Sequence, residues 1–300
     1  LEGKGDAWTA VAGEKSVMRP GDFIITPSDA WHDHGHDGEG AYFWLDGLDI
    51  PMVATFGAMF FDHYPADRAP LSRPAGDSQA RFGANMRPVN ERWTRLESPI
   101  FSYPYERSRA ALEKLRAAEE WDPFCGLKLT YIDPTTGGSA MPTISTFLQL
   151  LPKGFETKTY RTTENTVLSP VEGCGRLIVG EPGAERSIAF KPRDILAVPC
   201  WVPHRIVGEG ECVLFSFSAR VAQVKLGLWR EQRGNAWGVA TVAVLASGRN
   251  RERLADQGRE AAGRSRAARR SRSVFVLQLT AAGHYKAGDG RASSPVKRRA

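Results

Sequence analysis

The sequence predicts an all-β protein made of two copies of one barrel or sandwich unit. The first observation behind that prediction is an internal repeat. LEGKG at 1–5 returns as VEGCG at 171–175, an offset of 170, and GDFIITP at 21–27 returns as RDILAVP at 193–199, an offset of 172. Each proline is followed five residues later by a histidine, Pro27 by His32 and Pro199 by His204. The second observation is the texture of short runs such as 22–26, 195–198 and 212–218, which are β-rich and bounded by Gly, Pro or Asp. The third is turn residues spaced roughly 8–12 positions apart, which favour a sandwich or barrel over a parallel α/β sheet.

These landmarks divide the chain into a first copy at 1–65, a connection at 66–140, a second copy at 141–233 and a tail at 234–300. The connection carries scattered Pro, Gly, Arg and aromatic residues and reads as extended, packed loop over 66–105. Residues 106–120, rich in Ala, Leu, Glu, Lys and Arg without Gly or Pro, predict its one helix. The turn DPTTGG at 133–138 leads into the second copy.

Charge separates the tail from the rest. From Asn235 to Ala300 there are 14 Lys and Arg against 4 Asp and Glu, leaving 26 basic and 30 acidic residues in the first 234. The net charge of +6 therefore belongs to the tail, and a nucleic-acid function for the whole protein does not follow from it. The tail's Ala, Arg, Gly and Ser composition cannot bury a core. It reads as a disordered extension or an out-of-frame translation of GC-rich sequence, with a phosphate-binding basic arm as the other reading. No apolar run approaches the roughly 20 residues that span a bilayer, and no secretory leader pattern is present. Cys125, Cys174, Cys200 and Cys212 include no CxxC pair and no histidines at zinc spacing, so they read as reduced thiols, with the cytoplasm as default location.

Chemistry concentrates in GDFIITPSDAWHDHGH at 21–36, which holds three of the six histidines. On a strand, residues two apart face the same way, so His32, His34 and His36 could all point into a barrel while Asp33 faces out. The spacing Gly-x5-Pro-x4-His resembles the second sequence motif of the cupins, in which the histidine is a metal ligand. The longer strings MRPGDFIITP, WHDHG, WLDGLDIP, PIFSYPYER, LQLLPKGF and LFSFS look like gentisate 1,2-dioxygenase and its close relatives, from residue 1 to about 233.

That resemblance implies two cupin barrels of the double-stranded β-helix, or jelly-roll, type. It also implies Fe(II), an aromatic hydroxy-acid substrate, O2 and a homo-oligomer, a tetramer by family likeness. His32 matches a metal ligand of the family. His34 matches a histidine that contacts the substrate hydroxyl, Trp31 lies beside it as a substrate contact, and Asp46 matches an active-site acid. The family's remaining ligands form a His-x-His pair. In the second copy Tyr160 and Thr162 occupy those positions, so His204 stands alone and that copy is expected to be structural. The repeat offset places the first copy's pair before Leu1, so the first barrel is expected to be incomplete and the chain an inactive part of a longer product. His63 and His284 receive no role. Naphthoate-type (1-hydroxy-2-naphthoate) or salicylate-type substrates are alternatives to gentisate, and a non-catalytic cupin is the alternative of another class.

Overall fold

The computed structural model describes residues 6–118, 120–234 and, as backbone, 236–239. The first landmark of the repeat at 1–5, His284 and the predicted tail from 240 onward lie outside the described residues.

The first copy is built on a hairpin. Strands β1 (Ala7–Val11) and β2 (Glu14–Met18) pair antiparallel across a two-residue loop. Both loop residues, Ala12 at φ 47° and Gly13 at φ 83°, are left-handed. That geometry matches the twist of the flanking strands, and glycine adopts it without strain. β3 (Phe23–Ile24) follows, and then β4 (His32–His36) returns to the other edge of β1, placing Val11 opposite His32 and Thr9 opposite His34. The sheet order is β2-β1-β4.

The connection is anchored to this hairpin. Helix α1 (Ile50–Thr55) lies at the end of the first copy, helix α2 (Asp77–Phe82) breaks the predicted loop, and the buried Glu14 carboxylate accepts from both Ser78 N and Ser78 Oγ at 2.9 Å. β5 (Ser102–Tyr103) pairs with β3. The predicted helix is α3, Tyr105–Arg116, entered through Pro104 and four residues shorter at its C-terminal end than predicted. Leu112 of α3 is fully buried against Leu148 and Leu150, and Arg109 reaches Glu172 and Glu211 on the second copy.

The second copy is a pair of facing sheets. β6 (Leu127–Thr130), β7 (Ser145–Leu151), β9 (Thr166–Glu172), β12 (Leu196–Val198) and β14 (Cys212–Ser218) form one, in the order β12-β9-β14-β7-β6. The other runs β11-β10-β13-β8-β15-β16. It comprises β8 (Tyr160–Thr162), β10 (Gly175–Val179), β11 (Arg186–Phe190), β13 (His204–Gly208), β15 (Arg230–Arg233) and β16 (Ala236–Val239). Leu151, Leu168, Leu177, Ile206 and Leu214 fill the space between the sheets. The sheet therefore continues to Val239, past the point where the composition changes. The short helix α4 (Arg220–Lys225) follows β14.

The repeat appears in the register. β11-β10-β13 reproduces β2-β1-β4, with Val179 opposite His204 as Val11 is opposite His32. The offset is 168 across β1 and β10 and 172 from β2 and β11 onward, because a two-residue loop in the first hairpin becomes 180–185 in the second. Backbone details repeat at 172. Gly21 and Arg193 share φ near 80° (88° and 78°), and Asp29 and Trp201 are both left-handed. Asp22 Oδ2 accepts from Arg19 N, and Asp194 Oδ2 from Lys191 N, each at 2.9 Å.

Candidate active site

Alternation along β1 and β4 sorts the side chains. On the outer face Trp8 lies over Gly35, where an added Cβ would sit 2.1 Å from the indole, and Asp33 pairs with Arg68 at 4.0 Å. On the inner face, Thr9, His32 and His34 line a cavity of about 920 Å³ together with Asp46, within the usual size range of ligand pockets.

His34 is the most firmly held of these groups. Its Nδ1 lies 2.9 Å from the buried Thr9 hydroxyl, and that hydroxyl donates to Met18 Sδ at 3.1 Å. With the Thr9 proton on sulfur, the oxygen accepts from Nδ1–H and leaves Nε2 of His34 as a lone-pair acceptor. Burial first, and then the neighbouring His32, push the His34 pKa below the ordinary histidine value, with Asp46 and Asp33 pulling the other way. The ring is therefore neutral near pH 7. Trp44 packs 5.4 Å from it, centroid to centroid.

His32 is exposed at the start of β4, with Nδ1 3.4 Å from Ala30 O and its ring 5.5 Å from that of His34. That contact turns Nε2 away from the backbone, the arrangement of a metal-binding imidazole. Asp46 sits in the loop after Trp44. Gly47 presses on Phe217 of β14, and Asp49 accepts from Thr143 Oγ1 at 2.6 Å, so the loop is clamped between the two copies.

The other sequence-predicted residues lie elsewhere. Trp31 is 46% exposed, stands edge-on to Tyr64 and does not line the cavity. Its position has the parity of Asp33 and Gly35, the outward side. His36 packs against Tyr42, and His63 against Phe61. His204 is buried with its ring 4.3 Å from that of Tyr160, its cross-strand partner.

Sequence reasoning missed Thr9, whose role depends on a pairing between β1 and β4 that local pattern does not reveal. It also missed the second copy's share of the wall. Arg19 is joined there by Lys191 and Arg193, and Thr146, Ser169 and Phe217 come from the outer face of β7, β9 and β14.

Among the described residues no group of three or more His, Cys, Asp or Glu side chains is arranged to hold a metal ion. His32 is a single imidazole, so these residues alone do not fit a three-histidine centre.

The repeated barrel unit and its Gly-x5-Pro-x4-His segment define the chain as a cupin with two copies of the fold. No protein-family profile matches the chain. Gentisate 1,2 dioxygenase 1 of Aquipseudomonas alcaligenes is 52% identical over 229 residues, 76% of this chain and 65% of that protein. The 1-hydroxy-2-naphthoate 1,2-dioxygenase of Nocardioides sp. (strain KP7) is 31% identical over 77% of this chain and 59% of its own length. A crystal structure of a salicylate 1,2-dioxygenase variant from Pseudoaminobacter salicylatoxidans, in complex with gentisate, superposes with a TM-score of 0.70. It is 28% identical and the match covers 78% of this chain and 65% of that one. In sequence and fold the chain is similar to gentisate 1,2-dioxygenase and related ring-cleaving dioxygenases, and it spans less than two thirds of the length of these proteins.

Proposed function

We propose that this chain is part of a cytoplasmic, Fe(II)-dependent dioxygenase that opens the ring of gentisate with O2 to give maleylpyruvate, both oxygen atoms entering the product. The observation that carries this reading is the placement of His32, His34 and Asp46 on one cavity, in a chain 52% identical to the Aquipseudomonas relative. His32 is the metal ligand within this chain. The other two imidazoles are expected upstream, matching Tyr160 and Thr162 of the second copy, on a strand that would pair with the outer edge of β4 as β8 pairs with β13.

The residues present have separable tasks. Neutral His34, oriented through Thr9, takes or returns the proton of a substrate hydroxyl at Nε2. Asp46 holds the charge pattern around it, and Trp31 contributes at the outer approach rather than in the cavity. Arg19, Lys191 and Arg193 give the cavity cations for a substrate carboxylate, and Trp44 and Phe217 supply flat apolar wall. The cavity's volume also admits a two-ring acid, so 1-hydroxy-2-naphthoate is the second reading. Phe56, Met59, Phe60 and Phe61 are 56–78% exposed, which supports assembly into a homo-oligomer.

The test joins this chain behind the upstream part of the Aquipseudomonas relative and follows O2 uptake and ring-opened product. Gentisate-dependent uptake supports the reading. Uptake with only 1-hydroxy-2-naphthoate or salicylate moves the substrate assignment. A folded, iron-loaded protein silent with all three overturns the enzyme reading in favour of a non-catalytic cupin.

A further inference from the structure

The second barrel has a polar interior that the ring-cleavage reading does not use. Its inward-facing positions include Lys128 on β6, Phe147 and Gln149 on β7 and Ser216 on β14, with Lys128 opposite Gln149 and Ser216 opposite Phe147. Tyr160 and His204 face them from the other sheet. Leucines close one end of this space, and these groups occupy the other.

Some of the polarity is internally satisfied. Arg220 grips Glu164 through contacts of 2.6–3.1 Å, and Ser218 Oγ donates to the same carboxylate at 2.5 Å. The remainder is not. Gln149 Nε2 donates to Cys125 O at 2.8 Å, which fixes the amide and leaves Oε1 without a partner in a side chain 1% exposed. Ser216 Oγ, in a fully buried residue, is likewise unpartnered. His204 Nδ1 contacts Val202 O at 3.2 Å, so Nε2 presents a lone pair. Among the described residues neither that atom, nor the Tyr160 hydroxyl, nor the Lys128 ammonium has a hydrogen-bonding protein partner.

Charge selects the ligand. Glu164 is engaged by Arg220 and Glu231 by Arg233, so among the described residues Lys128 is left without a carboxylate in contact. Its Nζ lies 4.7 Å from the Phe147 ring, whose other neighbour is the Arg220 guanidinium at 5.0 Å. Burial, and then Arg220, lower the Lys128 pKa to about 8, and its charge is felt at His204. A single carboxylate would give this half-buried ammonium the partner it lacks. Lys128, Tyr160 and Ser216 offer donors suited to a carboxylate, while His204 Nε2 and Gln149 Oε1 offer acceptors for a hydroxyl. Lys128 and Tyr160 remain partly exposed and form the way in.

We propose that the second barrel binds a small hydroxycarboxylate, its carboxylate on Lys128 and Tyr160 and its hydroxyl between His204 and Gln149. The test is titration calorimetry of the chain as it stands with glycolate at fixed ionic strength, with acetate and chloride as comparisons. One saturable site is expected, tighter for glycolate than for acetate, weakened at least tenfold by Lys128→Met and unchanged by His34→Ala in the first cavity. Absence of saturable binding overturns the proposal. So does equal binding by a folded Lys128→Met protein, or loss of binding in His34→Ala, which would place the anion in the other cavity. If Lys128→Met does not fold, a crystal structure with glycolate decides. Density for the ligand within hydrogen-bond distance of Lys128 Nζ supports the site, and water alone there overturns it.

Discussion

The two copies share a backbone and differ in what surrounds one histidine. His32 and His204 open equivalent strands, face equivalent partners Val11 and Val179, and direct Nδ1 at the carbonyl two residues back, at 3.4 and 3.2 Å. In the first copy the ring is exposed on a cavity beside His34. In the second it is 5% exposed, packed on Tyr160, and its pKa is lowered to about 4, chiefly by burial. The scaffold thus presents an imidazole in both copies with one geometry, and the neighbours decide whether it stands exposed on a cavity or packed on a protein ring.

The largest expected effect that would sharpen this contrast is on turnover. In the protein extended upstream, His34→Ala should lower kcat for gentisate by about 10²–10⁴-fold, the range for loss of a general acid or base. His204→Phe should leave kcat within about twofold in the same O2-uptake assay, since it only exchanges one buried ring for another. Comparable losses in both would erase the distinction.

Stability should divide the copies next. Gly35→Ala drives a Cβ into the Trp8 indole and should cost about 3 kcal/mol in urea unfolding. Its counterpart Val207→Ala, on a partly buried position, should cost under about 1 kcal/mol.

The pH dependence should come chiefly from the second copy. Because the His204 pKa is lowered from 6.5 to about 4 in the fold, its unfolded form binds the proton first as pH falls. Stability is complete above pH 6.5 and declines towards pH 4, by about 3 kcal/mol in all. Urea titrations should show that decline in the parent chain and a smaller one, left by His34, in His204→Phe.

The smallest effect concerns Thr9. Thr9→Val removes the hydroxyl at His34 Nδ1 and should reduce kcat about tenfold in the extended protein, with Thr9→Ser close to the parent. Equal kcat in Thr9→Val would show that the ring needs no such hold.

How much of this was legible in the sequence follows from the range of each interaction. The histidine strand and the repeat could be read because strand alternation and turn spacing are local. The change of offset from 168 across β1 and β10 to 172 beyond them reflects a loop length, which the 170–172 of the landmarks does not show. α1, α2 and α4, six residues each, are too short to display helical periodicity. Trp31 was grouped with its neighbours by motif, although the alternation that turns His32 and His34 inward turns position 31 outward. Thr9, 25 positions from His34, depends on long-range pairing that no local pattern encodes.

The most direct measurement is iron per chain in the upstream-extended protein, compared among the parent, His32→Ala and His204→Ala. If only the first copy holds metal, the parent and His204→Ala each carry close to one iron and His32→Ala less than about a tenth of that. Retention of iron by His32→Ala together with its loss from His204→Ala would contradict the assignment of the metal site to the first copy.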